Sequence, residues 1–140
     1  MLRRKKGFTL LELIIVVIVI GILASIALPR YIKVAEKGRA AEAKTLLGSV
    51  RGSLMRYAAQ YGGYTAATTL LDLPLPAPKY FTIAIPAATA TANPGIESVI
   101  LGVATRQTGA AVENMAFGAY TISIAMGGTL SGDATAMALL

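Results

Sequence analysis

The stretch Gly7-Phe8-Thr9-Leu10-Leu11-Glu12-Leu13 opens an apolar run, FTLLELIIVVIVIGILASIAL, that fills residues 8–28 and decides the fold. Its 21 residues carry one charge, Glu12. At about 1.5 Å of rise per residue, a helix of this length measures roughly 30 Å, the thickness of a bilayer's hydrocarbon core. Arg3, Arg4, Lys5 and Lys6 stand before it, and more than a hundred residues follow it. Basic residues ahead of a span predict a cytoplasmic N-terminus and an external remainder. A carboxylate inside a membrane helix costs a few kcal/mol, so Glu12 needs a partner.

The helical period continues past residue 28. Ala43, Leu47, Val50, Leu54, Tyr57 and Tyr61 recur at spacings of three and four, which marks one buried helix face. Ahead of them Lys33, Glu36, Arg39 and Glu42 alternate in sign at every third position. They read as a solvated face supported by i, i+3 pairs worth a few tenths of a kcal/mol each. Gly62-Gly63 supplies a left-handed cap. The expectation is one helix over residues 8–61, roughly 80 Å long. Two residues interrupt it. Pro29 removes the bond to the Ser25 carbonyl and predicts a kink, while Gly21 weakens the helix by about 1 kcal/mol relative to alanine.

Beyond Gly63 the composition changes. Leu73-Pro74-Leu75-Pro76-Ala77-Pro78 is read as extended, because each proline pushes its predecessor out of helix. Strands are expected over 80–85, 98–105 and 119–126. The first and last alternate, with Phe81, Ile83 and Ile85, then Tyr120, Ile122, Ile124 and Met126. The tail after Gly127-Gly128 has few bulky residues before Leu139-Leu140 and is expected to be loosely held. The fold class is α+β, a long N-terminal helix packed on a small antiparallel sheet. The organisation is a leader over 1–7, a membrane half over 8–28, an amphipathic half over 29–61 and a β head over 62–140.

Composition narrows the function. The chain has no cysteine and no histidine, which removes disulfides, thiol chemistry, the usual zinc ligands and the commonest general base. The net charge of +6 falls to about +2 without the four leader cations, so a basic balance gives little reason to expect nucleic-acid binding. Ser49 and Ser53 lie near Lys44 and Arg51 at spacings that suit a helix surface rather than a nucleophile and its base. Glu97, Glu113 and Asp133 are too dispersed for a calcium loop. Asn93 precedes proline and Asn114 is followed by Met-Ala, so neither is a glycosylation sequon. No enzyme, cofactor or metal site is expected.

A basic leader ending in Gly7, then Phe8, then a lone Glu12 in an apolar helix with Pro29 near its far end, closely resembles the type IV prepilin family. The resemblance is strong from Lys5 to about Tyr31, fair as far as Tyr64, and architectural beyond. It implies that Gly7 is the last leader residue, cut from Phe8 by a prepilin peptidase that also N-methylates Phe8. It implies that Glu12 meets the Phe8 amine of a neighbouring subunit and sets its register. It implies partners too: further copies of the chain, the peptidase, an inner-membrane platform protein, an assembly ATPase, and lipid before assembly. The location would be a single pass in the inner membrane, then an external or periplasmic filament.

Physical reasoning supports these roles. A buried ion pair between subunits would relieve two charges and penalise wrong register. Other readings stay open. The run could be a secretory signal cut after Ser25-Ile26-Ala27, although it is long for one and carries a glutamate. Glu12 could pair helices or relay protons in a membrane-anchored protein that never polymerises. Within the family, a pilus subunit for adhesion, motility or DNA uptake competes with a secretion pseudopilin. Lack of a cysteine pair favours the latter, while lack of an acidic calcium loop and the Ala/Thr-rich head loops favour the former, which is the expectation. Tyr57, Tyr61 and Tyr64 are expected to pack the head on the helix.

Overall fold

The computed structural model describes residues 7–73, 79–87, 89, 92, 96–107 and 117–140. Helix α1 (Leu10–Tyr61) is followed by a short 3-10 turn (Thr68–Leu70), strands β1 (Phe81–Ala84), β2 (Ile100–Arg106), β3 (Thr121–Ala125) and β4 (Leu130–Gly132), and a one-turn helix α2 (Ala134–Met137). The layout is α+β. The four strands form one antiparallel sheet in the order β1-β2-β3-β4. The chain divides into two units between Ala35 and Glu36.

In the first unit, every described side chain from Gly7 to Tyr31 is exposed. Helix α1 begins two residues later than expected because Thr9 takes the cap position: the Glu12 N–H donates to Thr9 Oγ1 at 3.2 Å. The helix runs without a break through Gly21 and Pro29.

In the second unit, α1 turns Ala40, Ala43, Leu47, Val50 and Leu54 to the sheet. Phe81, Leu101, Ala104, Tyr120, Ile122 and Ile124 answer from the strands. Full burial of a side chain such as Leu47 or Ile122 is worth about 1.5–3 kcal/mol. Gly102 lets the layers approach: a Cβ there would lie 3.0 Å from Leu47 Cδ2 and 3.5 Å from Val50 Cγ1. It also follows the register shift that interrupts the β2–β3 ladder after Ile100. At the end of α1, Gly62 adopts φ +79° and donates its N–H to the Ala58 carbonyl at 2.8 Å, which closes the helix where expected.

Three expectations change. The charges from Lys33 to Glu42 are not uniformly solvated, since Glu36 is fully buried. Tyr64 is buried as expected, but Tyr61 is 65% exposed and its ring meets that of Tyr57 at 4.5 Å rather than the sheet. The tail is held: β4 pairs with β3, α2 is capped by Asp133, and Leu139 is buried. The proline run over 74–78, Glu113, Asn93, Asn114 and leader residues 1–6 lie outside the described residues.

Candidate assembly site

Thr9 and Glu12 form a reciprocal cap. Glu12 Oε2 accepts the Thr9 N–H at 2.9 Å and the Thr9 hydroxyl at 2.8 Å, while Thr9 Oγ1 accepts the Glu12 N–H. This arrangement satisfies otherwise unpaired donors at the helix start and puts a negative group where the helix dipole favours it. The spacing Thr-x-x-Glu before an apolar run is the sequence signal for this cap. Phe8, 82% exposed, stands beside it. Around the pair, large apolar side chains from Leu10 to Leu28 are exposed on all sides of α1. An apolar surface of that extent does not stay in water; it belongs in lipid or against protein. Gly7 and Gly21 have open space where a side chain would be. Pro29 lies within the helix.

A second polar cluster sits inside the second unit. Glu36 Oε1 accepts Arg106 Nε at 2.6 Å and the Tyr120 hydroxyl at 2.8 Å, and its Oε2 accepts Arg39 Nη1 at 3.0 Å. Arg106, 2% exposed, also donates to the Gln107 carbonyl at 2.9 Å. Arg39 stacks over the Tyr80 ring at 4.4 Å. Burial alone would raise the Glu36 carboxyl, but the bonds from Arg106, Tyr120 and Arg39 outweigh it and hold the group below its ordinary value. Burial and the adjacent carboxylate push the Tyr120 hydroxyl up.

The two serines weighed as nucleophiles, and Asp133 weighed for a calcium loop, make local structural bonds. Ser53 donates to Asp72, which also receives a forked pair of bonds from Arg56 at 2.7 and 2.9 Å. Those bonds, Arg56 first, draw the exposed Asp72 carboxyl down to about 2. Ser49 bonds the Thr45 carbonyl along its own helix. Asp133 caps α2 through Ala136 and accepts the Thr121 N–H at 2.9 Å. Among the described residues no group of acidic side chains gathers as a metal site.

Together these features define a chain with a bare apolar helix that starts on a lone carboxylate, and with a head built on a four-stranded sheet. Residues 2–28 match the family model for the prokaryotic N-terminal methylation motif. The chain is similar to fimbrial protein EcpC of Eikenella corrodens, 44% identical over 62 residues that make up 44% of this chain and 40% of that one. It is similar to the type IV major pilin protein PilA of Myxococcus xanthus, 57% identical over 44 residues, 31% of this chain and 20% of that one. It is also similar to the type IV narrow pilus major component PilA5 of Thermus thermophilus, 42% identical over 50 residues, 36% of this chain and 43% of that one. The chain thus spans less than half the length of these relatives. No solved structure matches it significantly. Over less than half of its length the chain is thus similar to type IV pilins and fimbrial proteins, and its first 28 residues carry the N-terminal methylation motif, which supports a pilin-like chain.

Proposed function

We propose that the chain is a structural subunit of a type IV pilus, anchored in the inner membrane by residues 8–28 and polymerised through that same helix. The observation that carries this is the exposed apolar helix with one carboxylate in its first turn. Residues 1–7 act as a leader that keeps the N-terminus on the cytoplasmic face. A prepilin peptidase cuts between Gly7 and Phe8 and methylates the new Phe8 amine. Without the four leader cations the helix is free to leave the bilayer, driven by a platform protein and an assembly ATPase.

Glu12 is prepared for the incoming amine. Its Oε2 is held by Thr9, and an ionised carboxylate has about four acceptor sites, so capacity remains for the Phe8 ammonium of a neighbour. Pairing there would satisfy two charges in an apolar core and favour one axial register. The relatives are named as pilus and fimbrial proteins, which supports the pilus over a secretion pseudopilus.

Intact-mass analysis of native membrane and sheared-surface fractions tests the reading. The expected species begins at N-methylated Phe8 and is recovered in filaments. A chain that keeps Arg3–Lys6, or one starting at Leu28, would remove the pilus assignment in favour of a membrane-anchored or secreted protein. Correctly processed chain with no surface filament would transfer it to a pseudopilus.

A further inference from the structure

Immediately past the apolar run, the first unit changes character. No charged residue occurs from Leu13 to Pro29; then Arg30, Tyr31 and Lys33 come within four positions. All three are exposed, Tyr31 at 72%. Neither Arg30 nor Lys33 has an ion pair among the described residues, and no acidic residue lies between Leu13 and Ala35 to supply one. Elsewhere Arg39, Arg56 and Arg106 each hold a carboxylate. Lys37, Lys44, Arg51 and Lys79 also hold no side-chain carboxylate among the described residues, so what sets Arg30 and Lys33 apart is their place next to the span.

Their height along the helix is informative. Lys33 lies five residues beyond Leu28, a rise of about 7.5 Å. The head-group layer on each side of the hydrocarbon core is roughly 5–8 Å thick. Helical side chains lean towards the N-terminus, here back towards the apolar run, and long basic chains extend their charge to the interface. Tyrosine is enriched at that same depth. We propose that Arg30 and Lys33 form a binding collar for acidic phospholipid head groups on the leaflet away from the leader, with Tyr31 as its interfacial anchor. This rests on the membrane reading above. It adds that leader removal leaves the basic side chains nearest the span all on the exit side, with the Phe8 ammonium the one positive charge at the other end.

The chain has no tryptophan, so Tyr31→Trp introduces a single indole at the collar. The full-length variant is placed in vesicles of equal phosphatidylcholine and phosphatidylglycerol, with one lipid at a time brominated high in its acyl chain. The indole is expected to be quenched more by the brominated phosphatidylglycerol, with an enrichment of about fivefold for each cation. Adding Arg30→Gln and Lys33→Gln should bring the two lipids level. The leader cations lie a membrane thickness away and do not affect this probe. Equal quenching in the chain with both cations overturns the collar and leaves the membrane reading standing. If the emission then shifts with protein density in the bilayer, the cations face an acidic group of a second copy instead. Persistent enrichment after both substitutions also overturns the collar. Absence of quenching by either lipid overturns the membrane reading along with it.

Discussion

Removing the Glu36 carboxylate would leave the Arg106 guanidinium buried with no anionic partner, only backbone carbonyls and the Tyr80 and Phe81 rings. Breaking one side of a buried pair typically costs about 3–5 kcal/mol. Glu36→Ala is therefore expected to destabilise the head by about that amount, read as a lowered denaturation midpoint of the detergent-solubilised chain by near-ultraviolet circular dichroism. Replacing Glu36 and Arg106 together with methionine should recover much of the loss, because no charge is then stranded. A Glu36→Ala cost below about 1 kcal/mol, typical of an exposed pair, would mean the cluster is not what holds α1 on the sheet. The Glu12 carboxylate calls for a different substitution. A helix-capping box accepts glutamate or glutamine. Glu12→Gln should thus keep the start of α1 and membrane insertion, remove only the charge, and cut the yield of sheared filaments severely. Normal filaments from that variant would end the register argument, and a shortened helix would show that the cap itself had been lost.

At the scale of elements, the glycines separate packing from propensity. Gly132 ends β4 so close to its neighbours that a Cβ would sit 2.5 Å from the Thr121 carbonyl oxygen and 2.7 Å from Ala136 Cβ. Gly132→Ala must push α2 off the sheet, at about 1–3 kcal/mol for overpacking. Gly48 lies on the exposed side of α1 with open space around it, so Gly48→Ala should stabilise by about 0.5–1 kcal/mol. Chemical denaturation of both variants checks the opposite signs. The sequence makes α1 plain, since an apolar run and then a three-and-four spacing write its two halves directly. The strands at Phe81 and Ile122 are legible for the same reason, through alternation. Glu36 is not legible, because its own helix offers it lysine and arginine neighbours while its decisive partner lies 70 residues away at the end of β2. The tail is not legible by hydrophobicity either: β4 is Leu-Ser-Gly and α2 is Ala-Thr-Ala-Met. Asp133 ahead of α2 is the one local cue, a capping residue whose carboxylate does hold the Ala136 N–H.

For the molecule as a whole, the same carboxylate makes stability depend on pH from both directions. The folded-state value of Glu36 is lowered, so its contribution is complete above the unfolded glutamate value of about 4.3 and is lost as pH falls through the lower folded value. Asp72, drawn down to about 2, and Asp133, lowered by the Ala136 and Thr121 amides, act in the same sense. Both are exposed, so solvent screening keeps their share small. The folded-state value of Tyr120 is raised, so its contribution is complete below the unfolded tyrosine value of about 10 and is lost as pH climbs beyond it. Both losses act on one bond, from the Tyr120 hydroxyl to Glu36 Oε1: acid weakens it by neutralising the acceptor, and alkali removes the donor. A denaturation midpoint that is level from about pH 5 to 9 and falls on either side is therefore expected for the full chain in detergent. Glu36→Gln should flatten much of the acid limb, since Asp72 and Asp133 remain to titrate. Tyr120→Phe should flatten the alkaline limb and leave the acid one in place. An acid limb of unchanged depth in Glu36→Gln would assign acid sensitivity to the surface carboxylates, and the buried cluster would then be a packing device with no part in it.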